Sequence, residues 1–153
     1  MTLFGAQKAS KGTVDEVGHM IERFFRDRGQ NPQEQQIKGA EGYGWWLTEG
    51  SARVYVFVQD TPSGTVLRVT SPLVYIPENN REAFYRKLLD INSGLSSCAL
   101  GTHENVVLVV AQRPTLALDQ EELEALVWNV AFVADLLDDR LATEFATRLY
   151  SNN

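Results

Sequence analysis

Residues 77–110 read PENNREAFYRKLLDINSGLSSCALGTHENVVLVV, and they indicate the architecture expected for the whole chain. Residues 106–110 are apolar at every position, which is typical of a central strand covered on both faces, so we expect Leu108 to be buried. The first part of the stretch predicts a helix, because its large apolar residues recur at the spacing of one helix face: Phe84, Leu88 and Ile91.

The ends of this helix are predicted from the residues that flank it. Asn79 precedes Glu82 by three positions, a spacing that suits reciprocal capping of the free N–H groups in the first turn. Gly94 follows the last apolar residue, and glycine adopts the left-handed conformation that ends many helices. We therefore expect the helix to begin after Asn79 and to end at Gly94. The hairpin that follows is expected to pair 98–102 with 106–111.

The first half of the chain predicts a tail, one helix and three strands. We expect 1–12 to be a flexible N-terminal tail and 13–153 to be a single domain. Thr13 and Glu16 have the spacing of a capping box, and the helix that they begin is expected to end at Gly29. Three strands are expected at 45–48, 52–59 and 65–71, with an edge or a bulge at Pro72.

The end of the chain predicts one long helix. Asp119 and Glu122 have the spacing of a second capping box, and apolar residues follow at helical period as far as Leu149. The element order is then α-β-β-β-α-β-β-α. This order predicts an α+β fold, in which helices pack on a five-stranded antiparallel sheet.

The composition is that of an ordinary globular domain. Of the 153 residues, 44% are hydrophobic and 22% are charged. The net charge of −6 argues against nucleic acid or an anionic membrane as the main partner. The single cysteine, Cys98, excludes an internal disulfide framework and favours a reducing compartment, so we expect a cytoplasmic protein.

Three stretches resemble a known superfamily: NNREAFYRKLLDIN at 79–92, SSCALGTHENVVLVVAQ at 96–112 and LDQEELEALVWNVAFVADLLDD at 118–139. Together with the element order, they resemble the type III secretion chaperone-like superfamily and, within it, the YbjN-like branch of bacterial sensory transduction regulators. The resemblance implies a curved antiparallel sheet with helices on it, used for homodimerisation and for holding extended or unfolded protein segments. It implies no catalytic residues.

Nucleophilic chemistry is disfavoured by the positions of the candidate residues. Cys98 with His103 as its base would be the simplest pair, but five positions separate them, so in a regular strand they face opposite sides. We expect Cys98 to be a packed core residue. His19 and His103 fit no recurring metal-ligand spacing. We therefore predict no catalytic residue, no bound metal, no cofactor and no enzymatic activity.

Two groups of charged residues are candidate binding sites. Asp135, Asp138 and Asp139 lie at i, i+3 and i+4, which suits a hard cation, but a second helix with matching carboxylates is missing, and we expect a solvated face. A modest basic region lacks the interleaved aromatic residues of a nucleic-acid site: Arg23, Arg26, Arg28 and Lys38.

Two helices have more apolar surface than one sheet face requires. The excess residues have helical spacing, with Tyr85, Leu89 and Asn92 on the middle helix and Trp128, Phe132 and Leu136 on the last. Either the first helix covers this excess or another chain does. The candidate partner-binding or dimer-binding residues are Tyr85, Leu89, Asn92, Trp128 and Phe132.

These observations predict a non-enzymatic, dimer-prone protein-binding module, chaperone-like or regulatory, whose partner is a protein segment or a regulatory protein. The alternative is a small-ligand sensor with a pocket between the last helix and the sheet, near Trp46 and Tyr55. Alternation along the strand places one residue of the Trp45–Trp46 pair in the core and the other on the opposite side. An enzyme is disfavoured, because no acid, base and nucleophile converge.

Overall fold

The computed structural model of the protein describes residues 10–38 and 43–151, so most of the predicted tail lies outside the described residues. The described elements follow the predicted order α-β-β-β-α-β-β-α. Their bounds are α1 Val14–Asp27, β1 Tyr43–Glu49, β2 Ala52–Thr61, β3 Gly64–Tyr75, α2 Arg81–Asn92, β4 Ala99–His103, β5 Val106–Pro114 and α3 Gln120–Glu144. None of these helices combines the length and the apolar character needed to cross a membrane.

The five strands form one antiparallel sheet in the order β1-β2-β3-β5-β4. The first three strands are consecutive hairpins, whereas α2 separates β3 from the β4–β5 hairpin in sequence. This hairpin joins the sheet through β5, which pairs with β3 on one side and β4 on the other. The prediction that β5 lies inside the sheet is confirmed.

The strands alternate between a buried inner face and a partly exposed outer face. The inner face is formed by large apolar residues such as Trp45, Val56, Leu67 and Val109, each at most 1% exposed, and it belongs to the same hydrophobic core as the buried sides of the three helices. Complete burial of such a side chain contributes about 1.5–3 kcal/mol. The inner face therefore supplies most of the stabilisation of the sheet.

Leu108 was predicted in the core and lies on the outer face instead. It is opposite Pro72 and Gly101, and only part of its surface is buried. The apolar run of β5 suggested cover on both faces, but the helices cover only the side of Val107 and Val109.

The first helix follows its prediction closely. The Thr13 hydroxyl accepts a hydrogen bond from the Glu16 N–H at 3.2 Å, as expected of an N-cap. The helix is capped by Arg28, and Gly29 follows with a φ of 71°. Its buried residues include Val17, Ile21, Phe24 and Phe25.

Both predicted ends of α2 need correction. The N-cap is Asn80 rather than Asn79; it is left-handed, with a φ of 58°, and its side chain makes no capping bond. The preceding turn is held instead by Arg81, whose Nε donates to the Pro77 carbonyl at 3.0 Å. At the other end the cap is Ser93, and Gly94 does not adopt the left-handed conformation, because its N–H bonds to the Ile91 carbonyl in a tightened last turn.

The last helix begins as predicted and ends early. Asp119 and Glu122 form a reciprocal capping box. The helix ends at Glu144 instead of Leu149, and residues 147–150 turn back to pair with the end of β3.

The returning segment, residues 147–150, supplies hydrogen-bond partners to backbone groups of β3 that β2 does not pair. Pairing between β2 and β3 stops at Tyr55 and Thr70, and β3 has an irregularity between Pro72 and Val74, as predicted for Pro72. Beyond it, the backbone needs new hydrogen-bond partners. They come from the returning segment, in bonds from the Tyr75 N–H to the Arg148 carbonyl and from the Tyr150 N–H to the Leu73 carbonyl, each of 2.9 Å.

Candidate functional site

The structure places Cys98 and His103 at opposite ends of β4. Cys98 precedes the strand and is partly buried, while His103 is its exposed last residue, about 16 Å away along an extended backbone. Burial raises the pKa of the Cys98 thiol. A reactive cysteine needs the opposite shift, because the thiolate is the nucleophile. The pair therefore has neither the geometry nor the electrostatics of a catalytic site.

The carboxylates of α3 bind the β1–β2 turn. The Ser51 N–H donates to Asp135 Oδ1 at 2.8 Å, and the Ser51 hydroxyl lies 2.9 Å from the same oxygen and 2.7 Å from Asp138 Oδ2. Asp138 is buried, so the prediction of a solvated face is wrong for this residue. Over 10–38 and 43–151, no group of three histidine, cysteine or acidic side chains is placed to hold a metal ion.

The basic region near α1 is largely neutralised by neighbouring acids. The Arg28 guanidinium lies 3.3 Å from Glu49, and the other two arginines of the region pair within α1. These pairs are Arg23 with Asp27 and Arg26 with Glu22. Apart from Lys38, the arrangement leaves little free positive charge for a polyanion.

The apolar residues of α3 that lie off the core stripe form an exposed row. We call Trp128, Phe132 and Leu136 the α3 row; their exposed fractions are 37%, 67% and 47%. The four-residue spacing places them along one side of the helix. The core stripe, including Val127, Val130 and Leu137, lies on another side.

The first helix covers only one end of the α3 row. The Trp128 ring lies 5.8 Å from the Phe24 ring, and the Arg28 guanidinium stacks over it at 4.3 Å. Neither contact extends to Phe132, which is two-thirds exposed. The first helix therefore covers part of Trp128. It leaves Phe132 and Leu136 exposed, so another chain could cover them.

The second candidate set, on α2, divides into exposed and internal residues. Tyr85 and Leu89 are 40% and 68% exposed and lie beside a shallow hollow. Asn92 has a different position, because its amide bonds to both backbone groups of Leu100 in β4, at 2.7 and 3.1 Å. The Asn92 side chain therefore fastens α2 to the sheet.

The five candidate residues do not converge on one site. Lys87 of α2 pairs with Glu144 of α3 at 3.4 Å, so this side of α2 faces α3. Tyr85 and Leu89 lie two positions from Lys87 and thus project from roughly the opposite side of the helix. The structure accordingly has two separate apolar surfaces, one on α2 and one on α3.

The pocket predicted for the alternative function is misplaced. Trp45 is fully buried on the inner face, as expected for one member of the tryptophan pair. Trp46 and Tyr55 are directly opposite each other on the outer face, away from α3. Core residues pack between α3 and the sheet, and the hollow of about 310 Å³ beside them, which Arg53 and Asp138 line, is lined by neither Trp46 nor Tyr55.

The sequence predicted Trp46 and Tyr55 beside a pocket, but it predicted no site for the charged residues of the outer face. The signal was present in β2, where Arg53, Tyr55 and Phe57 alternate with buried valines.

Comparisons with known proteins agree with this architecture. Eleven chains of solved structures match, among them a chain of the crystal structure of the ExsC–ExsE complex. It superposes with a TM-score of 0.63 at 17% identity, covering 84% of this chain and 95% of its own, a likeness that shows the fold alone. None of the curated proteins compared with the chain matches it.

The predicted resemblance is confirmed by a family comparison that covers the whole sheet and both later helices. The family is described as T3SS (YopN, CesT) and YbjN peptide-binding chaperone 1, or TY-Chap1. Since the model of this family matches residues 40–152, the chain belongs to the TY-Chap1 family of peptide-binding chaperones.

Proposed function

We propose that this protein is a non-enzymatic module that binds an extended or unfolded protein segment on the α3 row. Membership of a peptide-binding chaperone family supports the class of ligand. The observation on which the location rests is the exposure of Phe132, at 67%, beside Leu136 on a helix whose other side is in the core. Large exposed apolar side chains in a row are typical of a protein-interaction surface.

The α3 row suits an unfolded segment because it is apolar with a polar border. Asp135 lies three positions from Phe132 and Asp139 three positions from Leu136, so exposed acidic residues border the row on the helix surface. Covering a Phe or Leu side chain fully contributes about 1.5–3 kcal/mol, so the row gives useful affinity without a deep pocket. Many different unfolded sequences contain apolar side chains that can cover this row.

We infer that the second surface, Tyr85 and Leu89 on α2, is where two copies of the chain associate. A two-fold dimer pairs one patch with the same patch of the other copy, and aromatic residues are frequent anchors of such contacts. The exposure of both side chains supports this assignment. The cytoplasm is the compartment that the single cysteine favours.

The peptide-binding proposal is tested with a permanently unfolded protein, fluorescent reduced and carboxymethylated lactalbumin. Phe132→Glu and Leu136→Glu should each weaken its binding about tenfold, because a charge replaces apolar contact area. Leu116→Glu is the matched control, since Leu116 is 70% exposed and lies outside the row. Its affinity should stay within about twofold of the wild type, a difference below 0.5 kcal/mol.

Circular dichroism of each variant verifies that the fold is intact. Unchanged binding by the two row variants, or an equal loss in the Leu116 control, would refute the assignment to the α3 row.

A further inference from the structure

The outer face of the sheet combines aromatic rings with aliphatic side chains. Its residues follow from the strand register, in which Trp46, Tyr55, Thr70, Val110 and Ala99 form one cross-strand row. Neighbouring rows contain Phe57, Leu108, Tyr75 and Val106. These four side chains are partly exposed, because the helices belong to the core of the opposite face.

Three arginines lie on this face. Arg53 is beside Tyr55 on β2, and Arg68 is opposite Phe57 on β3. Arg148 belongs to the returning segment that pairs with β3, and its guanidinium lies 4.4 Å from the centre of the Tyr75 ring. The fold thus gathers three cations from separate parts of the chain onto one surface.

The side chains that these arginines contact directly are neutral. Arg53 stacks over Trp46 at 4.1 Å, and its buried Nε has no hydrogen-bond partner. Arg68 donates to the Gln112 side chain at 2.8 Å. Among the described residues, none of the three arginines forms an ion pair with a carboxylate, in contrast to the arginines of α1.

The outer face also lacks negative charge. No outward position of the five strands is occupied by Asp or Glu. The chain as a whole has a net charge of −6, so its acids are concentrated elsewhere. This surface has apolar side chains and arginines that form no ion pair. It is therefore complementary to a ligand that has apolar side chains and carboxylates.

From this juxtaposition we propose that the outer face of the sheet binds an acidic protein segment in which apolar side chains alternate with carboxylates. The carboxylates pair with Arg68 and Arg148 at the edges of the apolar area, and the apolar side chains cover Leu108 and Val110. This surface goes beyond the proposed function, because it lies on the face of the sheet opposite α3.

The chemistry of the face favours protein over single-stranded nucleic acid. Bases stack on free ring faces, whereas Arg53 covers one face of the Trp46 ring at 4.1 Å and Arg148 covers one face of the Tyr75 ring at 4.4 Å. The aliphatic residues of β5 add apolar area that bases do not need. The overall negative charge also opposes a polyanion.

The test uses a fluorescein-labelled peptide of alternating Glu and Phe and measures anisotropy with the full chain. Binding is expected to weaken with added salt and to fall about tenfold or more in the double variant Arg68→Glu with Arg148→Glu. The control is Arg86→Glu on α2, an exposed arginine away from this face, which should bind within about twofold of the wild type. The neutral pair Arg68→Gln with Arg148→Gln should give an intermediate loss and guards against misfolding of the reversed variant.

Three results would overturn the inference: equal binding of a peptide of alternating Lys and Phe, tighter binding of an oligothymidylate, or no effect of either arginine double variant. Phe132→Glu separates the two proposals, since it should weaken the binding of unfolded lactalbumin about tenfold and leave the binding of the acidic peptide unchanged. If only the lactalbumin experiment fails, the outer-face inference stands alone; if only the peptide experiment fails, the proposed function stands alone.

Discussion

At the scale of single residues, the two faces of the sheet differ in how much a side chain contributes to stability. Leu67 of β3 is fully buried on the inner face, whereas Leu108 of the neighbouring β5 is partly exposed on the outer face. The same substitution at the two positions therefore compares a packed core with an open surface.

Leu67→Ala should lower the free energy of unfolding by about 2–5 kcal/mol, because it leaves a cavity in the core. Leu108→Ala should cost about 1 kcal/mol, since only part of its area is removed from water. Urea unfolding followed by circular dichroism measures both. Similar losses for the two variants would mean that the outer face is covered in the folded protein.

At the scale of elements, Asp135 joins the middle of α3 to the β1–β2 turn. Its carboxylate accepts hydrogen bonds from the backbone and the hydroxyl of Ser51, and these bonds lower the pKa of the carboxyl group. Gly50 makes the close approach possible: it has a φ of 56°, and a Cβ there would clash with the Asp135 carboxylate.

The lowered pKa of Asp135 predicts a pH dependence of this junction. A carboxyl group whose pKa is lower in the folded state stabilises the fold above the ordinary carboxyl range, and this contribution is lost as the pH falls through the folded-state pKa. Asp135→Asn should therefore be less stable than the wild type at neutral pH, and the difference should shrink in acid. Chemical unfolding at several pH values measures it.

Asp139→Asn is the matched control, because Asp139 is exposed on the same helix. If the stability difference between Asp135→Asn and the wild type were the same at every pH, the Ser51 hydrogen bonds would not lower the pKa of Asp135 in the folded protein.

Two of the three helix starts were predictable from capping residues that are close in sequence, whereas Asn79 and Glu82 have the same spacing and do not cap α2. Thr13 with Glu16 and Asp119 with Glu122 need only a span of three residues, and both caps form. The end of α3 depends instead on an open edge of β3 some seventy positions away, which spacing within the helix cannot reveal.

For the candidate surfaces too, the sequence predicted what depends on one helix and missed what depends on contacts between elements. Helical spacing was sufficient to find Tyr85, Leu89 and the α3 row. It could not reveal that Arg28 and Phe24 cover Trp128, or that Asn92 bonds to β4, because these contacts depend on how the elements pack. The arginines of the outer face come from β2, β3 and the last residues, so only the folded chain brings them together.

At the scale of the whole molecule, the three apolar surfaces face different directions. The α3 row and the Tyr85–Leu89 patch belong to the helical side, while the outer face lies behind the sheet. In the proposed arrangement, association through α2 therefore leaves both proposed segment-binding surfaces accessible.

Leu89→Glu tests the proposed dimer. We expect light scattering to find a dimer for the wild type and a folded monomer for Leu89→Glu, because association would bury the new charge at a cost of several kcal/mol. The side chain is 68% exposed in the single chain, so the variant should keep its fold. Leu116→Glu should remain dimeric. A monomeric wild type at high concentration would rule the dimer out.

The position of the Asn92 amide has a consequence for how this protein avoids aggregation. The two outer strands of an open sheet can recruit further strands and grow into fibrils. Asn92 occupies the backbone groups of Leu100 on β4, and on the other side residues 35 and 37 bond to the backbone of β1. A protein proposed to hold unfolded chains meets many potential strands, and these contacts leave fewer free backbone groups at each edge with which such a strand could pair.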